Sequence, residues 1–179
     1  LAYIDSTKGW LFTNESNVAD LQQALFVTAT GGTVATSGNF KIHSFTGDGC
    51  FVVSQLGNPV GGPSNVDYLV IAGGGGGVAQ GGAGGAGGYR TTFPSPGCNA
   101  GSFPISVTTY PITVGAGGAG GTGSAAAPGT AGSPGSNSIF STITSAGGGG
   151  GQRLDTIGLA GGSGSGSGSG GGPAIGGAG

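Results

Sequence analysis

Val66-Asp67-Tyr68-Leu69-Val70-Ile71-Ala72-Gly73-Gly74-Gly75-Gly76-Gly77 divides this sequence into two kinds of polymer. Its first seven residues are the most apolar strand signal in the chain, and a run of that kind belongs at the centre of a sheet. The five glycines that follow have no side chain to bury. Whatever orders them must act through the backbone.

Counting outward from this junction sharpens the contrast. Of 48 glycines in 179 residues, nine precede Ile71 and 39 follow it. Glycine loses more backbone freedom on folding than any other residue, so such a segment stays disordered unless something offsets the loss. Charged residues make up 6% of the chain, against about 25% in ordinary soluble domains. That low charge argues against a solvated tail. Backbone packed on backbone is what remains, and a repeated assembly offers it best.

The first part reads as β. Asn39 to Thr46 alternates, Thr46-Gly47-Asp48-Gly49 has the Asp-Gly pair of a tight turn, and Cys50-Phe51-Val52-Val53 returns, which predicts a hairpin over 39–54. Leu25-Phe26-Val27-Thr28 reads as strand, and helix is expected only near 17–25, with Asn17 as its cap. Three more β signals interrupt the glycine tracts: 103–109, 110–114 and 138–144. Pro104 and Pro111, lacking an N–H, belong at strand starts or edges. Strict Gly-X-Y spacing is missing, which excludes a collagen triple helix. Two arrangements stay open for the tracts: threefold extended helices packed side by side through backbone hydrogen bonds and Cα–H···O contacts, or loops clustered at one end of a β-sandwich. The short tracts are placed among the loops. The fold class is all-β, an antiparallel β-sandwich of jelly-roll or immunoglobulin-like type, with long glycine-rich loops or polyglycine-type extended segments. Residues 1–30 form an N-terminal assembly segment, 31–72 a β-sheet core, and 73–179 a glycine-rich region continuous with that core.

Chemistry-bearing patterns are few. The strand-then-glycine run at Tyr68–Gly77 imitates a dinucleotide-binding entry, but Val78-Ala79-Gln80-Gly81-Gly82 cannot start a helix and no acidic residue lies about twenty positions on. No Gly-Lys-Ser/Thr phosphate loop occurs. His43, Ser44 and Asp48 supply the residue types of a hydrolase triad, but neighbouring residues of one strand point to opposite faces, so His43 reads as a half-buried strand residue. Asp67 has no second carboxylate to work with. Cys50 and Cys98, with a lone histidine, are too few for a metal site; they are either one disulfide or two free thiols, and a disulfide would mark an oxidising, extracellular setting. Net charge of -2 offers no basic face to nucleic acid, and no apolar run is long enough for a membrane helix. No cofactor is expected. Trp10, beside Leu11 and Phe12, reads as core or interface rather than a sugar platform. Tyr89-Arg90, an aromatic and a cation leaving a glycine tract, is the strongest candidate for ligand contact.

Several blocks in order carry a resemblance. Tyr3-Ile4-Asp5-Ser6-Thr7-Lys8-Gly9-Trp10, Ala29-Thr30-Gly31-Gly32-Thr33, Phe40-Lys41-Ile42-His43-Ser44-Phe45 and Asp67 to Gly75 are four of them. Gly84-Gly85-Ala86-Gly87-Gly88-Tyr89-Arg90, Pro111 to Gly118 and Asn137 to Ser145 complete the set. Together they resemble a glycine-rich domain family frequent among structural and tail-fibre-like proteins of tailed bacteriophages. The resemblance implies a virion or appendage component, oligomeric, with host-surface contact as a recurring role, and it carries no catalytic residues. Members usually continue to a final apolar strand that this sequence lacks, so another copy is expected to supply it, or the sequence is a piece of a longer chain; its opening at Leu1 rather than methionine is expected of a processed chain or a fragment.

The expected function is therefore a self-assembling structural subunit of a phage appendage or extracellular filament, without catalysis. The alternatives are a receptor- or glycan-binding adhesin and a secreted bacterial pilus-like fibril subunit. Its partners are copies of itself, with a host cell-surface glycan as a second candidate. The apolar stretch Leu1, Tyr3, Ile4, Trp10, Leu11 and Phe12 is expected to pack on a neighbouring copy, because an isolated terminal strand presents unpaired backbone groups.

Overall fold

Strand-forming residues at 28–30, 49–55, 109–113, 138–140 and 143–145 meet in one antiparallel sheet in the computed structural model, which describes residues 2–5, 9–11, 23–93, 101–122, 129–153 and 156–168. The strands are β1 (Ala2–Asp5), β2 (Gly9–Leu11), β3 (Thr28–Thr30), β4 (Thr33–Ser37), β5 (Phe40–Ser44), β6 (Gly49–Gln55) and β7 (Asn65–Val66). They continue as β8 (Leu69–Ile71), β9 (Tyr89–Thr91), β10 (Phe103–Pro104), β11 (Thr109–Thr113), β12 (Ser138–Phe140) and β13 (Ile143–Ser145). The main sheet runs β13-β12-β11-β6-β3; the pairs β1-β2, β4-β5, β7-β10 and β8-β9 are separate two-stranded ribbons. The architecture is all-β with antiparallel strand pairing, and no helix occurs among the described residues. Residues 23–25 are irregular, held by Asn58, whose side chain accepts from Leu25 N and donates to Gln23 O; the rest of the expected helix lies outside the described residues.

Two strand partners differ from expectation. The hairpin over 39–54 does not form, because β5 pairs with β4 and β6 pairs with β3 and β11. Gly38, at φ +56°, supplies the left-handed position of the actual β4–β5 turn. The Asp48-Gly49 turn instead ties β6 to the far end of β11, where Asp48 Oδ1 accepts the Val114 N–H at 2.8 Å. The run 66–72 is not a central strand either. It splits into β7 and β8, each in its own ribbon, and the middle of the main sheet is β11. Pro111 lies inside that central strand, not at its edge. It is tolerated there because the β12 ladder begins only at Ile112.

The apolar core is small and aromatic. Ala29, Phe51, Val53, Ile105 and Phe140 are buried, with Val66, Val70 and Phe103 from the ribbons, and Tyr68 between β7 and β8, packed against them. Phe140 is the hub: its ring centroid lies 5.1 Å from that of Phe103, 5.9 Å from Tyr110, 6.2 Å from Phe51 and 6.4 Å from Tyr68. His43 joins this cluster edge-on to Phe51, and its Nδ1 is 2.8 Å from Gly31 O, a half-buried strand role.

The glycine tracts are neither loops nor strands. Six extended segments, at 72–78, 82–88, 115–121, 130–136, 146–152 and 161–168, lie side by side with N–H···O bonds of 2.7–3.2 Å between them. Donors recur every third residue: Ala72, Gly75 and Val78 donate to Gly88, Gly85 and Gly82, while Gly73 and Gly76 donate to Ser136 and Ser133. A three-residue period in extended backbone is the signature of the threefold, polyproline II-type helix. The partners fix a two-row array, with 115–121, 72–78 and 82–88 in one row and 130–136, 146–152 and 161–168 in the other. Segments 82–88 and 130–136 run opposite to the rest. Short tracts such as 147–151, expected among the loops, are full members.

Glycine is required here for room. None of the glycines in these segments has a positive φ. A Cβ built on Gly73 or Gly76 would fall on the carbonyl of Ala116 or Ala119, one on Gly75 on that of Gly149, and one on Gly148 on that of Gly85. The Cα–H that occupies each such position is aimed at a carbonyl oxygen, which gives the lattice a second set of weak hydrogen bonds.

Each of the two cores can be probed by one substitution. Phe140→Ala should cost about 3–5 kcal/mol, read from denaturant unfolding. Gly148→Ala should cost at least about 2 kcal/mol, because its obstruction is backbone and cannot move aside as a side chain would. A Gly148→Ala protein that melts like the parent would show that the array is not close-packed.

Candidate functional site

Five of the six glycine segments grow directly out of strands. β8 runs into 72–78, 82–88 leads into β9, β11 runs into 115–121, 130–136 leads into β12, and β13 runs into 146–152. Each junction changes the backbone from a two-residue to a three-residue period, which strands some polar groups. Short polar side chains meet them. Ser138 Oγ accepts from Gly115 N at 2.9 Å, Asn137 Oδ1 accepts from Gly147 N at 2.9 Å, and the buried Ser145 donates its hydroxyl to Val70 O at 2.7 Å. In the sequence Ser138 reads only as part of a strand signal, and Asn137 and Ser145 only as its flanks in the block that carries the resemblance. A small polar residue flanking a glycine run was the available cue.

The opposite end of the array carries its connections. Residues 78–82 turn from the first segment to the second, and Thr122 and Thr130, hydrogen-bonded to each other, mark the end of the third and the start of the fourth. After Gln152 the chain does not turn straight into the sixth segment, which runs parallel to the fifth. Instead Leu159 and Gly161 lie back against Gly149 and Gly147, so the fifth segment is buried from 147 to 151. The two outer faces of the array therefore differ. The fourth–fifth–sixth row is strapped over at its middle, and the third–first–second row leaves Gly74, Gly77, Ala83, Ala86, Gly117 and Gly120 exposed.

The candidate ligand residues sit where this open face meets the ribbon β8–β9. Tyr89 and Arg90 are both exposed; Tyr89 pairs across the ribbon with Ile71, and Arg90 with Val70. Cys50 is an exposed free thiol, and Cys98 lies outside the described residues. Of the expected interface residues, Tyr3 and Ile4 lie in β1 and Trp10 and Leu11 in β2, with Tyr3 and Trp10 in register. Leu1 and Phe12 lie outside the described residues. The ribbon β4–β5 is exposed along its whole length except at His43, and Phe40 is 70% exposed.

A shallow, open depression of about 220 Å³ is lined by Gly32, Thr33 and Ser44–Gly49. Its only carboxylate, Asp48, is engaged with the Val114 N–H, and nucleophile, base and acid are not convergent there. Ser44 is exposed on the face opposite the ring of His43. Among the described residues no three His, Cys, Asp or Glu side chains gather in a way that would hold a metal ion, and no helix is long and apolar enough to cross a membrane.

Across this array the sequence pattern of a family described as a glycine-rich domain matches residues 49–179. The chain belongs to the glycine-rich domain family. The matched span opens with β6 and takes in all six glycine segments, so it covers the array and most of the sheet that anchors it. No curated protein and no solved structure matches the chain.

The junction side chains are testable separately from the lattice. Ser145→Ala removes a buried hydroxyl and the partner of the part-buried Val70 carbonyl and should cost about 1–3 kcal/mol by chemical denaturation. Amide exchange should show slow N–H groups at Gly149 and Gly151 and fast ones at the unpaired edge positions Ala116 and Ala119.

Proposed function

We propose that the protein is a self-assembling structural subunit of an extracellular appendage, of the tail-fibre-like kind carried by tailed bacteriophages, and that it works by shape and surface without catalysis. The observation that carries this reading is the β4–β5 ribbon. It holds Val34, Phe40 and Ile42 in the open, and an isolated two-stranded ribbon with exposed apolar side chains is marginal in water. A neighbouring copy would cover it. The mechanical character of the array agrees: six backbones cross-linked every third residue make a stiff, nearly charge-free rod of short length. The β1–β2 ribbon would join the same contacts, with Tyr3, Ile4, Trp10 and Leu11 as its apolar members. A jelly-roll or immunoglobulin-like sandwich completed by a strand from another copy is the finer form of this reading.

A receptor- or glycan-binding adhesin is the second reading. It is favoured by Tyr89 and Arg90, an exposed aromatic beside an exposed cation at the rim of a flat face. A secreted pilus-like fibril subunit would share the assembly physics and differ only in origin.

Sedimentation decides the first reading. The purified chain should form oligomers at micromolar concentration, and deleting residues 1–12 or making Phe40→Ser should shift it towards smaller species by tenfold or more in apparent Kd. A compact, cooperatively melting monomer at all concentrations would refute assembly. Loss of glycan or cell-surface binding in Arg90→Ala, with assembly intact, would favour the adhesin.

A further inference from the structure

Most glycines of the array whose surroundings are described have a reason within the chain. Gly74, Gly77, Gly117 and Gly120 do not. A Cβ built on Gly74, Gly77, Gly117 or Gly120 would meet nothing closer than 3.6 Å, an ordinary van der Waals distance, and none of the four has a positive φ. Alanine would fit each site and would lose less backbone freedom on folding. Their neighbours show the contrast: Gly73 and Gly76, one residue away, admit no Cβ at all.

The four fall on one surface. Gly74 and Gly77 are the outward positions of 72–78, Gly117 and Gly120 those of 115–121, and Ala83 and Ala86 those of 82–88; all six are exposed. Each column repeats every third residue, about 9.3 Å along a threefold helix. The face thus carries nothing larger than a methyl group over two turns. At the sheet end the columns of Gly74 and Ala86 continue into Ile71 and Tyr89, which pair across β8–β9 and are 56% and 59% exposed. A flat floor of bare backbone ends in a raised apolar rim.

The polar groups of this floor are also open. The N–H groups of Gly74 and Gly77 and the carbonyls of Gly117 and Gly120 form no hydrogen bond within the described residues. In the interior of the array the N–H groups of Gly73 and Gly76, at the same three-residue spacing, are met by another threefold segment, as are those of Ala72, Gly75 and Val78. The face therefore has the form of an interior plane of the lattice lacking its next row.

We infer that this face is an interface with a second copy of the chain, which lays the same glycine face against it. Self-recognition fits because the surface offers donors and acceptors at one shared period, and a partner needs that period together with an absence of side chains. A twofold, antiparallel arrangement sets the Ile71–Tyr89 rim of each copy beyond the far end of the other's floor, at the 78–82 turn. Closed isologous contact of that kind is the commonest symmetry of self-association. Ile71 and Tyr89 then act as apolar anchors at both ends of a backbone-to-backbone contact.

This inference rests on the proposal that the chain self-assembles, and the test separates the two. Full-length parent, Gly74→Glu/Gly77→Glu and the milder Gly74→Ala/Gly77→Ala would be compared by sedimentation and thermal melting. The two glutamates point into solvent in the isolated chain, so its melting should stay within a few degrees while the apparent Kd of assembly rises at least tenfold; the alanine pair should show a smaller rise with no loss of melting temperature. In the parent, the amide protons of Gly74 and Gly77 should exchange fast when dilute and become protected at concentrations where it assembles, a measurement that needs no variant. If the parent assembles while both variants assemble equally well and these amides stay unprotected, the glycine face is not the interface and assembly itself stands. If the parent never assembles, the assembly proposal falls first and this inference with it.

Discussion

The structure depends on one constraint: a segment without side chains must satisfy its backbone N–H and C=O groups with other backbone. Strands meet that need in a plane, with neighbours on two sides. The glycine segments meet it in several directions, because a three-residue turn sends successive N–H groups to different neighbours. Segment 72–78 shows the consequence. It donates to 82–88 and to 130–136 and accepts from 115–121 and from 146–152, so a single stretch ties together four others. Its surroundings would be impossible with a Cβ at 73, 75 or 76. Side-chain burial, the usual driving force of folding, is nearly absent from the array. Close backbone packing and a dense hydrogen-bond lattice stand in for it.

Such an array is poor at finding its own register. Glycine repeats look alike, and a slip by three residues would preserve most bonds. The sheet removes this freedom. Strands β8, β9, β11, β12 and β13 are fixed by unlike residues, among them Phe140 against its ring of aromatics, and each delivers a glycine segment at a set height. Asp48, Asn137, Ser138 and Ser145 then pin the junctions with directed bonds. The small apolar core thus has an organising effect beyond its own area: it selects one alignment among many nearly equivalent ones.

How much of this was legible in the sequence follows from the same division. The all-β class, the strands themselves and the need for backbone packing were readable, because alternation and glycine excess are local signals. Strand partners were not. Asp48-Gly49 has the form of a hairpin turn, and only the distant Val114 N–H explains why it is not one. The run 66–72 has the apolar content of a central strand, yet apolar content is not burial, and Ile71 and Leu69 face outward. The array itself left a trace in Gly81-Gly82-Ala83-Gly84-Gly85-Ala86-Gly87-Gly88-Tyr89 and in Gly115-Ala116-Gly117-Gly118-Ala119-Gly120-Gly121, where the non-glycine residues recur every third position. That period, neither 2 nor 3.6, distinguishes packed threefold segments from loops. Which partner each segment takes is a non-local fact that a repeat cannot encode. The candidate ligand residues Tyr89 and Arg90 were legible for a similar reason: they break a repeat.

The period also bears on which surfaces are free to change. A threefold segment in the interior of the array commits all three of its columns, as 146–152 does, and tolerates glycine alone. One at the margin of the array leaves at least one column unconstrained by the chain's own packing: 82–88 leaves the column of Ala83 and Ala86, and 115–121 leaves those of Ala116 and Ala119 and of Gly117 and Gly120. In 82–88 that column holds alanine and ends in tyrosine, as expected for a position open to any small residue. In 72–78 and 115–121 the outward column on the open face is glycine at each of two turns, although the fold has room for more. Glycine that the fold does not need still lowers stability, so a constraint from outside the chain is the physical account that fits it. The open face differs from the strapped one in this respect: where Leu159 lies over Gly149, the covering backbone is already part of the chain.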